Sequence, residues 1–288
     1  MEVTKNQQEV IMREIRMILD AMPVRDGAGV SLKRIFGYHN KPAFDPFLML
    51  DDFSNDDPQN YLAGFPMHPH RGIETITYLL EGYAEHEDSL GNKGTIGKGE
   101  VQWMTAGSGI IHQEMPKPDS QGRMYGFQLW TNLPASHKMM PPRYQDIKAE
   151  QIPCIQAAEG VVIKLICGEY MGTRGPVEDI MIDPQYWDLR MDAHAEFIIP
   201  TPVEYTAFIY CYHGEVVIKG KQLHKHQIML FDNGLGIKLH TEESEAKLLF
   251  CSGKALREPI AWRGPIVMNT AEEIKNAFDE LGNGSFIR

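Results

Sequence analysis

Three histidines and a glutamate fall in two short runs whose spacing suits a shared metal ion. His68 and His70 lie in Gly64-Phe-Pro-Met-His-Pro-His-Arg-Gly-Ile-Glu74, and His112 and Glu114 in Gly107-Ser-Gly-Ile-Ile-His-Gln-Glu114. Each pair is spaced i, i+2 in a segment that otherwise reads as strand, and the strand period of two sends both members to one face. Four donor side chains can then converge inside a barrel. Three imidazoles and one carboxylate make a borderline donor set suited to Fe, Ni, Cu, Mn or Zn, and four protein ligands on a metal that prefers six leave two positions for substrate and dioxygen. A lone His-x-His is more often a surface coincidence or a hydrogen-bonded pair. Two such pairs, each tied to glycine turns, carry more weight.

The elements that must position these residues are short strands. The first pair is followed by Glu74 and the strand-like Thr75–Leu80, ending at Glu81-Gly82; the second follows Gly97-Lys-Gly99 and Val101–Thr105. Strand, turn, strand with inward ligands is the pattern of the two cupin motifs. Residues 68–82 and 102–116 closely resemble the signature segments of the pirin family within the cupin superfamily. The similarity extends through Pro46–Phe53, Tyr125–Pro134 and Met268–Ile274.

That resemblance implies an all-β bicupin: two cupin-like β-barrel or sandwich domains with a short C-terminal helix. It implies one divalent metal ion, most often Fe(II), with Ni, Cu, Mn or Zn as alternatives, on the residues matching His68, His70, His112 and Glu114. It also implies one of two roles. The first is a quercetin 2,3-dioxygenase-like enzyme that cleaves flavonols with dioxygen, in which Glu114 is the candidate catalytic group taking the substrate proton. The second is a metal- or redox-dependent interaction module with a protein partner, of the kind described as a transcriptional co-regulator.

Glu74 is the rival carboxylate. Many cupins use the glutamate of the first motif as a ligand, whereas in pirins the residue matching Glu114 takes that place. Four residues of regular strand cover roughly 13 Å, too far from His70 to share an ion unless the chain bends at Gly72. Glu74 is then expected to be a structural acid or to orient a ligand imidazole by accepting its other N–H. Trp103, Met104, Phe127 and Trp130 are candidate pocket walls, although such residues are more often core. His86 and Glu87 read as a polar hairpin face, and Gln113 points away by strand parity.

A second half repeats the pattern without the chemistry. In the first half His68, His70 and Glu74 precede Gly82 by fourteen, twelve and eight residues; the same counts back from Gly214 reach Pro200, Pro202 and Thr206. No metal is expected there. His224 and His226 follow the glycine turn instead of preceding it and sit among lysines, so a solvated loop is the expectation.

Composition is consistent with this organisation. The chain of 288 residues is long for one domain, and the division is placed at 1–143 and 144–288, with the proline-rich Leu133–Pro153 as connector. Hydrophobic residues make up 43%, enough for real cores, and no run approaches the roughly 18 apolar residues of a membrane span. The polar start Met1–Glu9, followed by Arg13, Glu14, Arg16 and Asp20, argues against a secretory signal. A formal charge of −11 opposes direct nucleic-acid binding. Cys154, Cys167, Cys211 and Cys251 are widely spaced, and the last three lie in apolar runs, which suits free thiols in the cytoplasm, or the nucleus of a eukaryote. The one strong helix signal is Thr270–Leu281, with Thr270 as cap, Ile274, Ala277, Phe278 and Leu281 on one stripe and Gly282 past its end. Analogy with pirins suggests that it docks across the domain junction.

Overall fold

A computed structural model describes residues 12–288; the polar opening at Met1–Glu9 lies outside them. Two seven-stranded antiparallel sheets dominate. The first runs, in spatial order, Arg143–Ile147, Val101–Thr105, Ile73–Glu81, Tyr125–Asn132, Phe47–Asp52, Val30–Phe36 and Met22–Asp26. The second runs Ile15–Asp20, Gln227–Phe231, Thr206–His213, Ala246–Gly253, Gln185–Met191, Val161–Cys167 and Cys154–Ala158. A four-stranded sheet accompanies each: Phe65–His70, Ile110–Lys117, Tyr83–Asp88 and Lys93–Ile96 in the first half, and Glu196–Pro200, Gly236–His240, Glu215–Ile218 and Lys221–His224 in the second. The all-β, two-cupin architecture is as expected.

Both halves contribute to one buried core. Tyr78, Trp103 and Phe127 from the first large sheet pack with Tyr186, Phe208 and Tyr210 from the second. Burying aromatic surface without stranding polar atoms requires partners for the hydroxyls. The interface supplies two of them reciprocally: Tyr78 Oη donates to Asp188 Oδ2 at 2.6 Å, and Tyr210 Oη donates to Asp52 Oδ2 at 2.7 Å.

Pairing crosses the 143/144 division twice, once by a strand near the start of the chain and once by the connector. Ile15–Asp20 forms the edge of the second large sheet, whereas Arg143–Ile147, inside the proline-rich connector, forms the edge of the first. Its prolines lie outside that strand, so none removes a ladder donor from it. The final helix spans Ala271–Asn283 and passes through Gly282; it stops at Gly284, whose φ of 78° is the left-handed cap that glycine adopts readily. Thr270 caps its start as expected, in a reciprocal box with Glu273. The helix docks on the first half, where Glu280 pairs with the buried Arg71 at 2.7 Å and Arg71 lies over the Phe286 ring.

Candidate metal centre

The three histidines come together because two strands pair in a particular register. His112 lies opposite His68, and Ile110 opposite His70, between Phe65–His70 and Ile110–Lys117. His68 and His70 share a face, so all three rings point to the same side, with one ring nitrogen from each lying within 4.8 Å of the others. The turn after His70 is tight. Gly72 has φ of 76°, and a Cβ there would come within 2.0 Å of the Val267 carbonyl oxygen, so only glycine permits this approach.

Hydrogen bonds dictate which nitrogen each imidazole presents. His68 Nδ1 is 2.9 Å from the Pro66 carbonyl oxygen and His70 Nδ1 is 3.2 Å from that of Pro265. A carbonyl only accepts, so both ring protons belong on Nδ1. The two Nε2 lone pairs then face each other at 3.0 Å, which is repulsive unless a cation lies between them. Both ring nitrogens of the buried His112 have no partner. Burial, reinforced by His112 and His68, holds His70 well below the usual imidazole range, and burial takes His112 down to about 4 despite the facing Glu114 carboxylate. Neutral imidazoles with converging lone pairs fit a divalent ion.

Glu114 is buried and points inward on the same strand, but the register slips between His112 and Glu114, as at a β-bulge. Its carboxylate accepts from Thr77 Oγ1 at 2.9 Å and from Gln128 Nε2 at 3.0 Å. Trp130 Nε1 donates to Gln128 Oε1 at 3.3 Å, which turns the amide nitrogen toward Glu114. Burial raises the Glu114 carboxyl, but the facing His112 and the Gln128 hydrogen bond outweigh it, and the pKa falls below the usual carboxylate value. Its oxygens are not among the donor atoms within 4.8 Å of one another.

Of the two roles expected of Glu74, orienting an imidazole or serving as a structural acid, its hydrogen bonds match the second. Its carboxylate accepts from Thr105 and Thr131 hydroxyls at 2.7 and 3.2 Å. Backbone carbonyls of Pro66 and Pro265 orient the imidazoles instead. Of the four candidate wall residues only Trp130 reaches the site, edge-on to His70 at 5.0 Å between ring centres. Trp103 and Phe127 belong to the core shared by the halves, and Met104 packs with Ile73 and Ile110. His86 is buried opposite Glu114 with both ring nitrogens unpartnered and its ring stacked on Tyr144, so it is more than a polar hairpin face. Gln113 turns away to Glu87, and His224 is an exposed partner of Glu215.

His68 and His70 open onto a cleft of about 720 Å³, within the usual range for small-molecule sites. Its aromatic walls are Trp130, Trp262, Tyr38 and Phe65. On another side Arg34 grips Asp51 through two hydrogen bonds of 2.9 and 2.8 Å; burial, partly offset by Arg34, pushes the Asp51 carboxyl up to about 6. Neither Arg34, Asp51, Tyr38 nor Trp262 was singled out by the sequence. Asp51 lies in a segment that resembled the family, but nothing local marks Trp262, which arrives from the far end of the chain.

Fold and site together define a bicupin with a histidine cluster in its first barrel, and comparison with known proteins supplies the family. The pirin model matches residues 29–131 and the pirin C-terminal cupin domain matches residues 186–287. A pirin-like protein of Caulobacter vibrioides is 42% identical across 96% of this chain and 99% of its own length. Human pirin is 38% identical, covering 90% of this chain and 88% of its own. The solved structure of a quercetin 2,3-dioxygenase from Acinetobacter baumannii superposes with a TM-score of 0.89 at 33% identity, covering 96% of this chain and 98% of that one. The chain belongs to the pirin family.

Proposed function

We propose that this pirin is a metal-dependent dioxygenase that cleaves flavonols such as quercetin, with one Fe(II) held by His68, His70, His112 and Glu114. The observation that carries the reading is the convergence of three imidazoles, two of which, His68 and His70, line an aromatic-walled cleft; the likeness to a protein named quercetin 2,3-dioxygenase supplies the substrate class. The metal chemistry belongs to the first half, residues 1–143, and residues 144–288 carry no metal. Four free cysteines suit a reducing cytoplasm; among the described residues no helix is long and apolar enough to cross a membrane.

A bound divalent ion supplies the positive charge that acidifies a coordinated hydroxyl and gives access to dioxygen chemistry. The chain's own residues do the rest. Trp130, Trp262 and Tyr38 offer faces and edges against which a flat polyphenol packs. Glu114, ionised and steadied by Gln128 and Thr77, takes the proton of the substrate hydroxyl. The carbonyls of Pro66 and Pro265 keep the His68 and His70 protons on Nδ1 and leave Nε2 free.

The test is oxygen uptake by the iron-loaded protein with quercetin, together with carbon monoxide in the headspace. Both should rise together, vanish in His70→Ala and Glu114→Ala, and stay near wild type in His224→Ala. Fully metallated protein that does neither with several flavonols would remove the flavonol reading and favour a metal-dependent interaction role.

A further inference from the structure

A second cleft, of about 790 Å³, opens where the two large sheets diverge, away from the histidines. It lies on the faces that pack the two halves together. Tyr210, Leu249 and Cys251 on the second sheet are core, and Asp188, the register neighbour of Leu249, continues that face toward the cleft with Lys164 directly beside it. The first sheet mirrors this arrangement. Asp52 sits beside Phe127 on the core face, and Lys33 is the register neighbour of Asp52. Each half thus sets one lysine next to one buried aspartate at the cleft.

The aspartates do not pair with these lysines. Asp52 accepts from Tyr210 and the Ser54 backbone N–H, and Asp188 from both Tyr78 and Tyr212, so all four carboxylate oxygens are engaged. Among the described residues, Lys33, Lys164 and Lys225, all lining the cleft, have no carboxylate oxygen within 4 Å. Four carboxylates, Asp52, Asp56, Glu81 and Asp188, also line the cleft, but with Arg123, Arg190 and Lys247 its cations number six, so in a chain of net charge −11 the lining runs against the overall field, and a cleft focuses that potential. His226 registers that potential: burial, and then Lys33, hold its pKa below the usual value.

We propose that this cleft binds a small molecule with two anionic groups, phosphate or carboxylate, bridging Lys33 of the first half and Lys164 of the second, with Lys225 adding to the field. The site is separate from the metal cleft and does not depend on the flavonol reading. Occupancy ties the two halves together across the mouth of their interface.

Cys154 provides a built-in reporter, because it lines the cleft, pairs in register with Lys164 and is the one exposed cysteine of the four. Calorimetry on the metal-loaded protein with fructose 1,6-bisphosphate and, separately, adipate identifies which anion is preferred. At least one should bind saturably at one per chain, more weakly as salt rises, and should slow maleimide labelling of Cys154. Lys33→Gln and Lys164→Gln should each weaken it about tenfold, the size of one lost charge-assisted hydrogen bond. Fructose 6-phosphate, with one anionic group, should lose affinity relative to the bisphosphate. The proposal is overturned if neither dianion binds saturably across the millimolar range. Binding that ignores both lysine substitutions, or leaves Cys154 labelling unchanged, overturns it equally. His224→Gln, at an exposed residue outside the cleft, serves as the control that should bind as wild type.

Discussion

The two halves share a plan strand for strand and differ in what the barrel holds. Tyr78 and Tyr210 each stand four residues before a turn glycine, Gly82 and Gly214, and each reaches across to an aspartate of the other half. The packing role has been kept twice. The chemistry has not: His68 and His112 face each other in the first half, while at the position the same count reaches in the second half Pro200 lies opposite Gly236. Besides Arg71, which holds the final helix, a buried cation lies near the edge strand of each large sheet. Lys138 donates to Gly72, Val267 and Asn132, and Arg13 donates to Thr201, Pro202 and Asp232. A barrel needs its loops pinned whether or not it holds a metal, so the pins are present in both halves and the histidines in one.

The comparison breaks most sharply under substitution of the ligands. His112→Ala should drop metal content from one ion per chain to essentially none, whereas His240→Ala in the second half should leave it unchanged; elemental analysis after anaerobic loading decides. The apo form of His112→Ala should unfold close to wild type, since any loss of holo stability comes from lost binding.

Removing the pins should injure both halves alike. Lys138→Met leaves three acceptor oxygens without their donor, and Arg13→Met leaves the Thr201 hydroxyl and the carbonyls without theirs, so each should cost roughly 3 kcal/mol in denaturant unfolding. A large loss at one site and none at the other would show that the likeness between the pins is superficial.

Acid should weaken the first half selectively. An unfolded histidine takes up its proton near 6.5, but His112 in the fold does so only near 4, and His70 is also depressed. The unfolded state therefore binds more protons in this window. The stabilisation is complete above pH 6.5 and is lost as pH falls toward 4, about 3 kcal/mol from His112 alone in metal-free protein. Hydrogen exchange at pH 6.5 and 4.5 should show faster opening around Ile110–Lys117 than around Gly236–His240.

The smallest effect concerns the cross-links between halves. Tyr78→Phe leaves Asp188 still bonded to Tyr212, whereas Tyr210→Phe leaves the Asp52 side chain with only the Ser54 backbone N–H. Tyr210→Phe should therefore cost more, about 2 kcal/mol against about 1, as measured by thermal unfolding. The reverse order would mean that Tyr212 does not support Asp188.

Much of this comparison was legible in the chain. Period-two spacing gave the common face of His68 and His70, and counting back from Gly82 and Gly214 exposed the second half's missing ligands. What stayed hidden depends on distant contacts. Pro265, which orients His70, and Trp262, which walls the cleft, come from a hairpin some two hundred residues away. The edge-strand role of Arg143–Ile147 was masked by nearby prolines that spare the strand itself. For Glu74 strand spacing argued against ligation but left an orienting and a structural role open, because it does not say which hydroxyls, here Thr105 and Thr131, already await the carboxylate.

The central claim is that one metal ion sits in the first half on His68, His70, His112 and Glu114. Anomalous diffraction from crystals of iron-loaded protein, collected on both sides of the iron absorption edge, tests it most directly. The account predicts a single peak within about 2.0 to 2.3 Å of the Nε2 atoms of His68 and His70, one ring nitrogen of His112 and a Glu114 oxygen, with none in the second half. A peak bound by Glu74 with Glu114 remote, or a second peak beside His224 or His240, would contradict it.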